Sequence, residues 1–152
     1  MSETTLEAAT DVPSLTSNFQ AFLGLERTLE PEGVARVYLR RRPELMNFLQ
    51  QFHGGVLMSV LDAAMAGAIR ASDPHCSMVT IDMSTHFIGL ARAELQGVGR
   101  VLRRTRTLCF CSAEIHNEDG ELVAVATGSF KVRHDPEAAA VAARESHSLN
   151  RA

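Results

Sequence analysis

One acidic residue stands inside an almost wholly apolar stretch of the chain. From Gly55 to Ile69 the only strongly polar residues are Ser59 and Asp62. A helix without a polar face is usually buried on every side, so this pattern predicts a buried central helix. A buried carboxylate is costly unless it is paired, and burial raises its pKa. Such a carboxylate is suited to act as a base near neutral pH.

Small residues precede this helix at its predicted start. Gly54 and Gly55 follow His53 and leave backbone N–H groups accessible at the positive end of the helix. No Cβ atom blocks the approach of a ligand carbonyl or anion there. One short segment therefore offers both a candidate base and candidate donors to developing negative charge.

The composition fits one globular domain. The chain has 152 residues, of which 45% are hydrophobic and 22% charged. Its net charge of −3 argues against a general nucleic-acid binder. No apolar run reaches the ~20 residues that span a bilayer, and the N-terminus does not resemble a signal peptide. Three cysteines without a C-x-x-C pair predict neither disulfides nor a metal site. We expect a cytoplasmic protein without nucleic-acid or membrane partners.

Strand patterns lie on both sides of the helix. Residues 25–29 and 34–39 predict a hairpin around Pro31-Glu32-Gly33, and residues 77–88, 93–104, 106–116 and 122–132 predict four later strands. A short helix is predicted over residues 14–22, ended by Gly24. The domain is expected to span residues 14–134, with a mobile tail at 1–13 and a tail or loose helix at 135–152. A run of strands after one helix indicates an α+β fold whose sheet wraps the helix.

Several motifs together resemble those of a known family. They are Asn47-x5-His53-Gly54-Gly55-x6-Asp62, the strand Thr80-Ile81-Asp82-Met83 and the late strand from Gly120 to Phe130. In these the chain resembles hotdog-fold acyl-CoA thioesterases of the phenylacetate-degradation type. The resemblance implies a long central helix wrapped by a curved antiparallel sheet of five or six strands. It also implies homodimers, or tetramers built as dimers of dimers, with sites at the subunit interface.

The resemblance further implies an enzyme that hydrolyses an acyl-CoA thioester to a carboxylic acid and coenzyme A, without a metal or other cofactor. Asp62 is expected as nucleophile or general base, and the Gly54 N–H as the donor to the thioester carbonyl. Thr80 is expected to orient the water or the carboxylate. The expected catalytic residues are Asp62, Gly54, His53, Asn47 and Thr80.

Family members often carry a glycine between the motif Asn and His, whereas this loop reads Phe48-Leu49-Gln50-Gln51-Phe52. Asn47 is expected to hold the carbonyl or the attacking water, with Gln50 or Gln51 as alternatives. The expected substrate-binding residues are Gly55, Phe48, Phe52, Met58, Arg103 and Arg104. The two arginines would hold the coenzyme A phosphates, for which guanidinium groups are well suited.

Simpler interpretations stand beside these. His53 is equally well explained as a helix cap, and both arginine clusters, residues 40–42 and 100–106, as solvated strand ends. Asp82 has a structural interpretation, on the same predicted strand face as Thr80. Cys109 and Cys111 are predicted core residues. The first alternative function is a non-catalytic acyl-CoA binder or regulator. The second is a hotdog hydratase or dehydratase, although the chain lacks the D-x-N-x-x-H and H-F-P strings usual for that class.

Overall fold

The structure is a computed structural model that describes residues 16–137. The predicted tail at 1–13 and nearly all of the predicted tail at 135–152 lie outside the described residues, so the domain limits stay predictions. In chain order the elements are α1 (Asn18–Leu23), β1 (Glu26–Glu30), β2 (Val34–Leu39), a 3₁₀ turn (Pro43–Leu45), α2 (Gly54–Ser72), β3 (Cys76–Phe87), β4 (Leu95–Arg104), β5 (Leu108–Asn117) and β6 (Leu122–His134). The predicted hairpin, central helix and four later strands are confirmed within a few residues.

The strands form one antiparallel sheet in the order β1-β2-β4-β5-β6-β3. Helix α2 packs against all six strands of this sheet. The core between them consists mainly of aliphatic side chains, together with Phe130 and the three cysteines. A central helix wrapped by a six-stranded sheet confirms the predicted α+β architecture.

Glycines of β4 let α2 lie directly against the sheet backbone. A Cβ atom at Gly99 would stand 2.1 Å from the Ala64 carbonyl oxygen, and one at Gly97 would stand 2.9 Å from Cγ1 of Val60. Both distances are far below van der Waals contact, so only glycine fits at this separation of helix and strand. This contact fixes the position of α2, and hence of its side chains, relative to the sheet.

The prediction that α2 is buried on every side was wrong. One stripe of the helix is open, with Met58 exposed and Ser59, Asp62 and Ala66 half-buried. These residues recur at the three- to four-residue spacing of a single helix face. This open stripe places Asp62 beside a cavity. By length and composition α2 could also cross a membrane, but the core helices of soluble proteins meet the same criteria.

Strand β3 stands at the edge of the sheet and contains a bulge. Its pairing passes from Thr80–Phe130 directly to Asp82–Ser129, so Ile81 is an extra residue. Opposed residues of antiparallel strands share a face, and Phe130 is buried against α2. Thr80 therefore faces α2 whereas Asp82 faces outwards, where its Oδ1 accepts a hydrogen bond from Ser129. The prediction that Thr80 and Asp82 share a face was wrong, because the bulge interrupts the alternation.

Candidate active site

Asp62 and Thr80 meet across the gap between α2 and β3. The Thr80 hydroxyl Oγ1 donates a hydrogen bond of 2.8 Å to Oδ1 of Asp62. No donor to Oδ2 of Asp62 is found among residues 16–137. The carboxylate is thus oriented through one oxygen while the other stays available. We call Asp62 and Thr80 the base half-site.

A cavity of about 320 Å³ opens beside this carboxylate. Its volume lies near the lower end of the ~300–1,000 Å³ usual for small-molecule sites. Apart from Asp62 it is lined by Ser17, Phe19, Gln20, Leu23, Met58, Ser59 and Met83. Of these lining residues, only Met58 is among the predicted substrate-binding residues. The position of Ser59, three residues before Asp62 and on the same helix face, was a usable signal.

The start of α2 is capped by His53. The ring atom Nδ1 of His53 accepts a hydrogen bond of 3.0 Å from the Gly55 N–H. Since Nδ1 is the acceptor, the neutral ring carries its proton on Nε2. The capping interpretation of His53 is therefore confirmed, and its direct contact with a substrate remains a prediction.

The Gly54 N–H belongs to the first turn of α2, where backbone donors have no partner within the helix. No acceptor for it is found in the described part of the chain. A Cβ atom at Gly54 would stand 3.5 Å from the Phe87 ring, an ordinary contact distance. The donor is therefore unpaired and lies beside an aromatic side chain. We call Gly54, His53 and Asn47 the donor half-site.

The two half-sites of one protomer are too far apart to share a substrate carbonyl. Gly54 and Asp62 are eight residues apart on one helix, which is about 12 Å along its axis at 1.5 Å per residue. A donor to the carbonyl oxygen and a group acting at the carbonyl carbon must each lie within roughly 3 Å. Gly54 and Asp62 are therefore close in sequence but cannot act on the same carbonyl group within one protomer.

Asn47 organises the loop that leads into α2. Its Oδ1 accepts hydrogen bonds from the N–H groups of Leu49, at 2.9 Å, and Gln51, at 3.2 Å. Gln50, in the middle of this loop, has the positive φ of 59° and accepts at Oε1 from Arg41. The Asn47 oxygen is thus used within the loop, whereas its side-chain NH₂ group has no acceptor among residues 16–137. Its role at a substrate remains a prediction.

The predicted substrate-binding residues at this loop differ in exposure. Phe48 is 90% exposed and Gly55 is also exposed, so both are accessible. Phe52 is only 2% exposed and packs in the core below the loop. In the described protomer Phe52 supports the loop and does not form an open pocket wall.

Arg104 lies at the far end of α2, near its C-cap residue Asp73. Its Nη2 stands 2.9 Å from Oδ2 of Asp73, which is also 3.2 Å from Nδ1 of His134. Desolvation raises the pKa of Asp73, but the hydrogen bonds from His134 and from the His75 N–H, with the charge of Arg104, lower it below its ordinary value. Asp73 follows Asp62 by eleven residues, or roughly 16 Å of helix.

Arg103 faces outwards opposite Phe110 and is exposed. Phosphate binding by either arginine remains a prediction.

Cys109 and Cys111 are core residues, as predicted. Both are fully buried, with their sulfur atoms 3.8 Å apart. Burial is the main cause that raises the pKa of both thiols, so neither is activated as a nucleophile. Across residues 16–137 no three His, Cys, Asp or Glu side chains are placed to hold a metal ion.

Comparisons with known proteins found a matching family model and solved structures of the same fold. Residues 50–124 match the family model described as the thioesterase superfamily. A conserved protein of Pseudomonas aeruginosa is 29% identical with a TM-score of 0.74, and the match covers 82% of this chain and 99% of that protein. No curated protein matches the sequence at a significant level.

Two further structures come from phenylacetic acid degradation. The PaaI protein of Escherichia coli is 24% identical with a TM-score of 0.70, over 76% of this chain and 83% of that one. A variant of PaaI from Thermus thermophilus is 24% identical with a TM-score of 0.68, over 76% and 98%. At this level of identity these two matches show a shared fold.

Proposed function

We propose that this chain is a thioesterase that hydrolyses acyl-CoA thioesters to a free carboxylic acid and coenzyme A, because residues 50–124 match the thioesterase superfamily and the chain has the hotdog fold. Asp62 acts in this proposal as the general base or the nucleophile. The observation that carries the proposal is the Asp62 carboxylate, held by Thr80 at the wall of a cavity that Phe19, Leu23, Met58 and Met83 also line. These apolar side chains suit the acyl part of a thioester, and in the proposal the acyl carbon lies next to the carboxylate.

The chemistry requires few groups. In the general-base form, Asp62 takes a proton from water while the water oxygen attacks the thioester carbonyl carbon. The carbonyl oxygen becomes an oxyanion that a backbone N–H stabilises, and one such donor is worth about 3–4 kcal/mol in known enzymes. Collapse of the intermediate breaks the carbon–sulfur bond, and the departing thiolate recovers a proton. In the nucleophilic form, Asp62 itself attacks the carbonyl carbon and the carbon–sulfur bond breaks to release the coenzyme A thiolate. Water then hydrolyses the resulting anhydride, which frees the carboxylic acid and restores the Asp62 carboxylate.

A second copy of the chain completes the site in this proposal. Asp62 and Gly54 of one protomer stand about 12 Å apart along the helix, so the oxyanion donor would be the partner subunit's Gly54. Strand β3 supports this pairing. Within residues 16–137 only β6 pairs with β3, so the other edge of β3 is open. On β3 the apolar side chain of Val79 is 69% exposed. An open strand edge with exposed apolar residues is a surface suited to pairing with another strand.

The proposed activity is tested with purified protein and a panel of acyl-CoA thioesters, by following the release of the coenzyme A thiol. We expect steady release by the unmodified protein and a loss of about 10²–10⁴-fold in Asp62→Asn, the usual contribution of proton transfer. Asp82→Asn is the matched control, since Asp82 contacts Ser129 on the outer face of the sheet. Circular dichroism verifies that both variants fold.

Each outcome has a definite meaning. Full activity of Asp62→Asn would overturn the assignment of the base. Failure to hydrolyse any thioester, combined with tight binding of acyl-CoA, would favour the non-catalytic binder. Single-turnover hydrolysis in ¹⁸O-labelled water separates the two forms of the reaction, because label enters the Asp62 carboxylate only if that carboxylate is the nucleophile.

A further inference from the structure

The short helix α1 forms one side of the cavity beside Asp62. Its N-cap residue Ser17 and its residues Phe19, Gln20 and Leu23 line the cavity opposite the open stripe of α2. Leu23 is buried in the core and anchors the helix, whereas Phe19 remains 58% exposed. An exposed aromatic ring at the wall of a cavity is a surface that gains from being covered, since removal of apolar surface from water is favourable.

Helix α1 has only six residues, so it depends on contacts outside itself. Isolated helices shorter than ~12 residues are marginal in water. Ser17 caps the N-terminus by accepting at Oγ from the Gln20 N–H, over 3.2 Å. At the other end, Gly24 adopts a left-handed conformation and donates to the Ala21 carbonyl, over 3.0 Å.

Arg42 fixes the C-terminus of α1 to the rest of the domain. Its Nη2 donates a hydrogen bond of 2.6 Å to the Phe22 carbonyl oxygen. A guanidinium group at this position satisfies a carbonyl that the helix leaves unpaired and interacts favourably with the negative end of the helix. The other two arginines of this charge cluster contact different partners, Arg40 with Glu26 and Arg41 with Gln50. Arg42 alone among these three contacts α1.

We propose that α1 is the acyl-selecting wall of the site, that Phe19 sets the length of acyl group accepted, and that Arg42 is the positioning residue that holds this wall in place. This inference rests on the proposed hydrolysis and goes beyond it, because it assigns selectivity to residues outside the catalytic set. In this arrangement the acyl chain extends from Asp62 along Met58 and Met83 and ends against the Phe19 ring. Chains that reach the ring cover it, and longer chains collide with it.

The first test compares Phe19→Ala with Phe22→Ala. Phe22 is the matched control, since it lies on the same helix, is 67% exposed and does not line the cavity. The measurement is kcat/KM over straight-chain acyl-CoA substrates from two to sixteen carbons. We expect Phe19→Ala to lose about tenfold or more at the optimum chain length of the unmodified protein, because one methylene in an apolar pocket is worth about 10–200-fold. Its optimum should move to longer chains, whereas Phe22→Ala keeps the original profile.

The second test removes the contact between Arg42 and α1. In Arg42→Ala we expect KM for the preferred substrate to rise several-fold, while kcat for acetyl-CoA, whose acyl group is too short to reach α1, stays unchanged. Arg42→Lys should recover part of the loss because an ammonium group still donates to the Phe22 carbonyl. Arg40→Ala is the control, as Arg40 is exposed and its ion pair within the described residues is with Glu26, at 3.6 Å.

Equilibrium binding distinguishes failure of this inference from failure of the proposed function. Non-hydrolysable thioether analogues of the same acyl-CoA series report chain-length preference even if no thioester is hydrolysed. Identical binding and hydrolysis profiles for Phe19→Ala and Phe22→Ala would overturn the inference. A shifted binding profile in Phe19→Ala without hydrolysis by the unmodified protein would keep the selecting wall and reject the thioesterase activity.

Discussion

Thr80 donates a hydrogen bond of 2.8 Å from Oγ1 to Oδ1 of Asp62, across the gap between an edge strand and the central helix. The bond exists because Thr80 is paired with the buried Phe130 and therefore lies on the face of β3 that looks towards α2. Among residues 16–137 the carboxylate is held by a neutral donor and not by a cation. Orientation without an ion pair in this part of the chain suits a group that must accept a proton or attack a carbonyl.

Replacing Thr80 should lower activity without changing the fold. In Thr80→Val we expect kcat/KM to fall about 10–100-fold, since a hydrogen bond to a charged group is worth about 1.5–3 kcal/mol. Thr80→Ser keeps the hydroxyl and should retain most of the activity. Steady-state kinetics on both variants provides the check, and retained activity in Thr80→Val together with a loss in Thr80→Ser would mean that Thr80 acts through its shape and not through its hydrogen bond.

Removing the Gly54 N–H should abolish stabilisation of the oxyanion. Proline is tolerated at the first position of a helix and lacks only this donor. The preceding residue His53 has φ −60° and ψ 139°, which is compatible with a following proline. We expect Gly54→Pro to lose about 10²–10³-fold in kcat. Gly54→Ala is the control, because it keeps the N–H and its Cβ makes an ordinary contact with Phe87.

Two inactive variants should complement each other if the half-sites come from different subunits. A co-expressed mixture of Asp62→Asn and Gly54→Pro chains forms mixed dimers in which one site has both functional groups. We expect about one quarter of the original sites, and hence of the activity, to be restored. Each variant alone supplies the background. Absence of restored activity in verified mixed dimers would overturn the proposal that each site combines Asp62 of one subunit with Gly54 of the other.

Gly99 should be the most sensitive glycine of the sheet. The Cβ of Gly99→Ala would meet the Ala64 carbonyl oxygen at 2.1 Å, which forces helix and strand apart. Overpacking of this kind costs about 1–3 kcal/mol or more. Gly97→Ala should cost less, since the nearest atom to its Cβ, at 2.9 Å, is Cγ1 of the Val60 side chain and not a backbone atom. Urea unfolding measures the difference, and equal stability of the two variants would show that α2 shifts freely on the sheet.

The Asp73 cluster should make stability depend on pH. The pKa of Asp73 is lower in the folded chain than its ordinary value, so the carboxylate stabilises the fold above the ordinary pKa of about 4 and loses this effect as pH falls through the folded value. We expect Asp73→Asn to be about 1–3 kcal/mol less stable at pH 7. The gap should narrow below pH 4 in urea unfolding series. A gap that is constant from pH 7 to pH 3 would attribute it to packing.

Local sequence patterns sufficed for most elements but not for the register of β3. The alternation Val79, Ile81, Met83 reads as an uninterrupted strand, and nothing within it marks Ile81 as an extra residue. A bulge is set by the hydrogen-bonded partner strand, here β6, which lies about fifty residues away. For that reason the sequence predicted the strand correctly but placed the Asp82 side chain on the wrong face of the sheet.

The sequence offered candidate site residues but not their arrangement in space. Helical spacing placed Ser59 beside Asp62, and glycines marked an open helix start. The distance between Gly54 and Asp62 also follows from helix geometry, yet their closeness in sequence suggested one shared centre. The role of α1 was not visible, because the cavity wall depends on a contact between Arg42 and Phe22, twenty residues apart.

The open edge of β3 has a consequence for how this protein behaves on dilution. If two copies pair there, the bound state gains stability by mass action, and the melting temperature rises with protein concentration. Each site then needs groups from both copies, so activity below the dissociation constant falls with the square of concentration. Catalysis would thus cease at dilutions where individual chains still hold their fold.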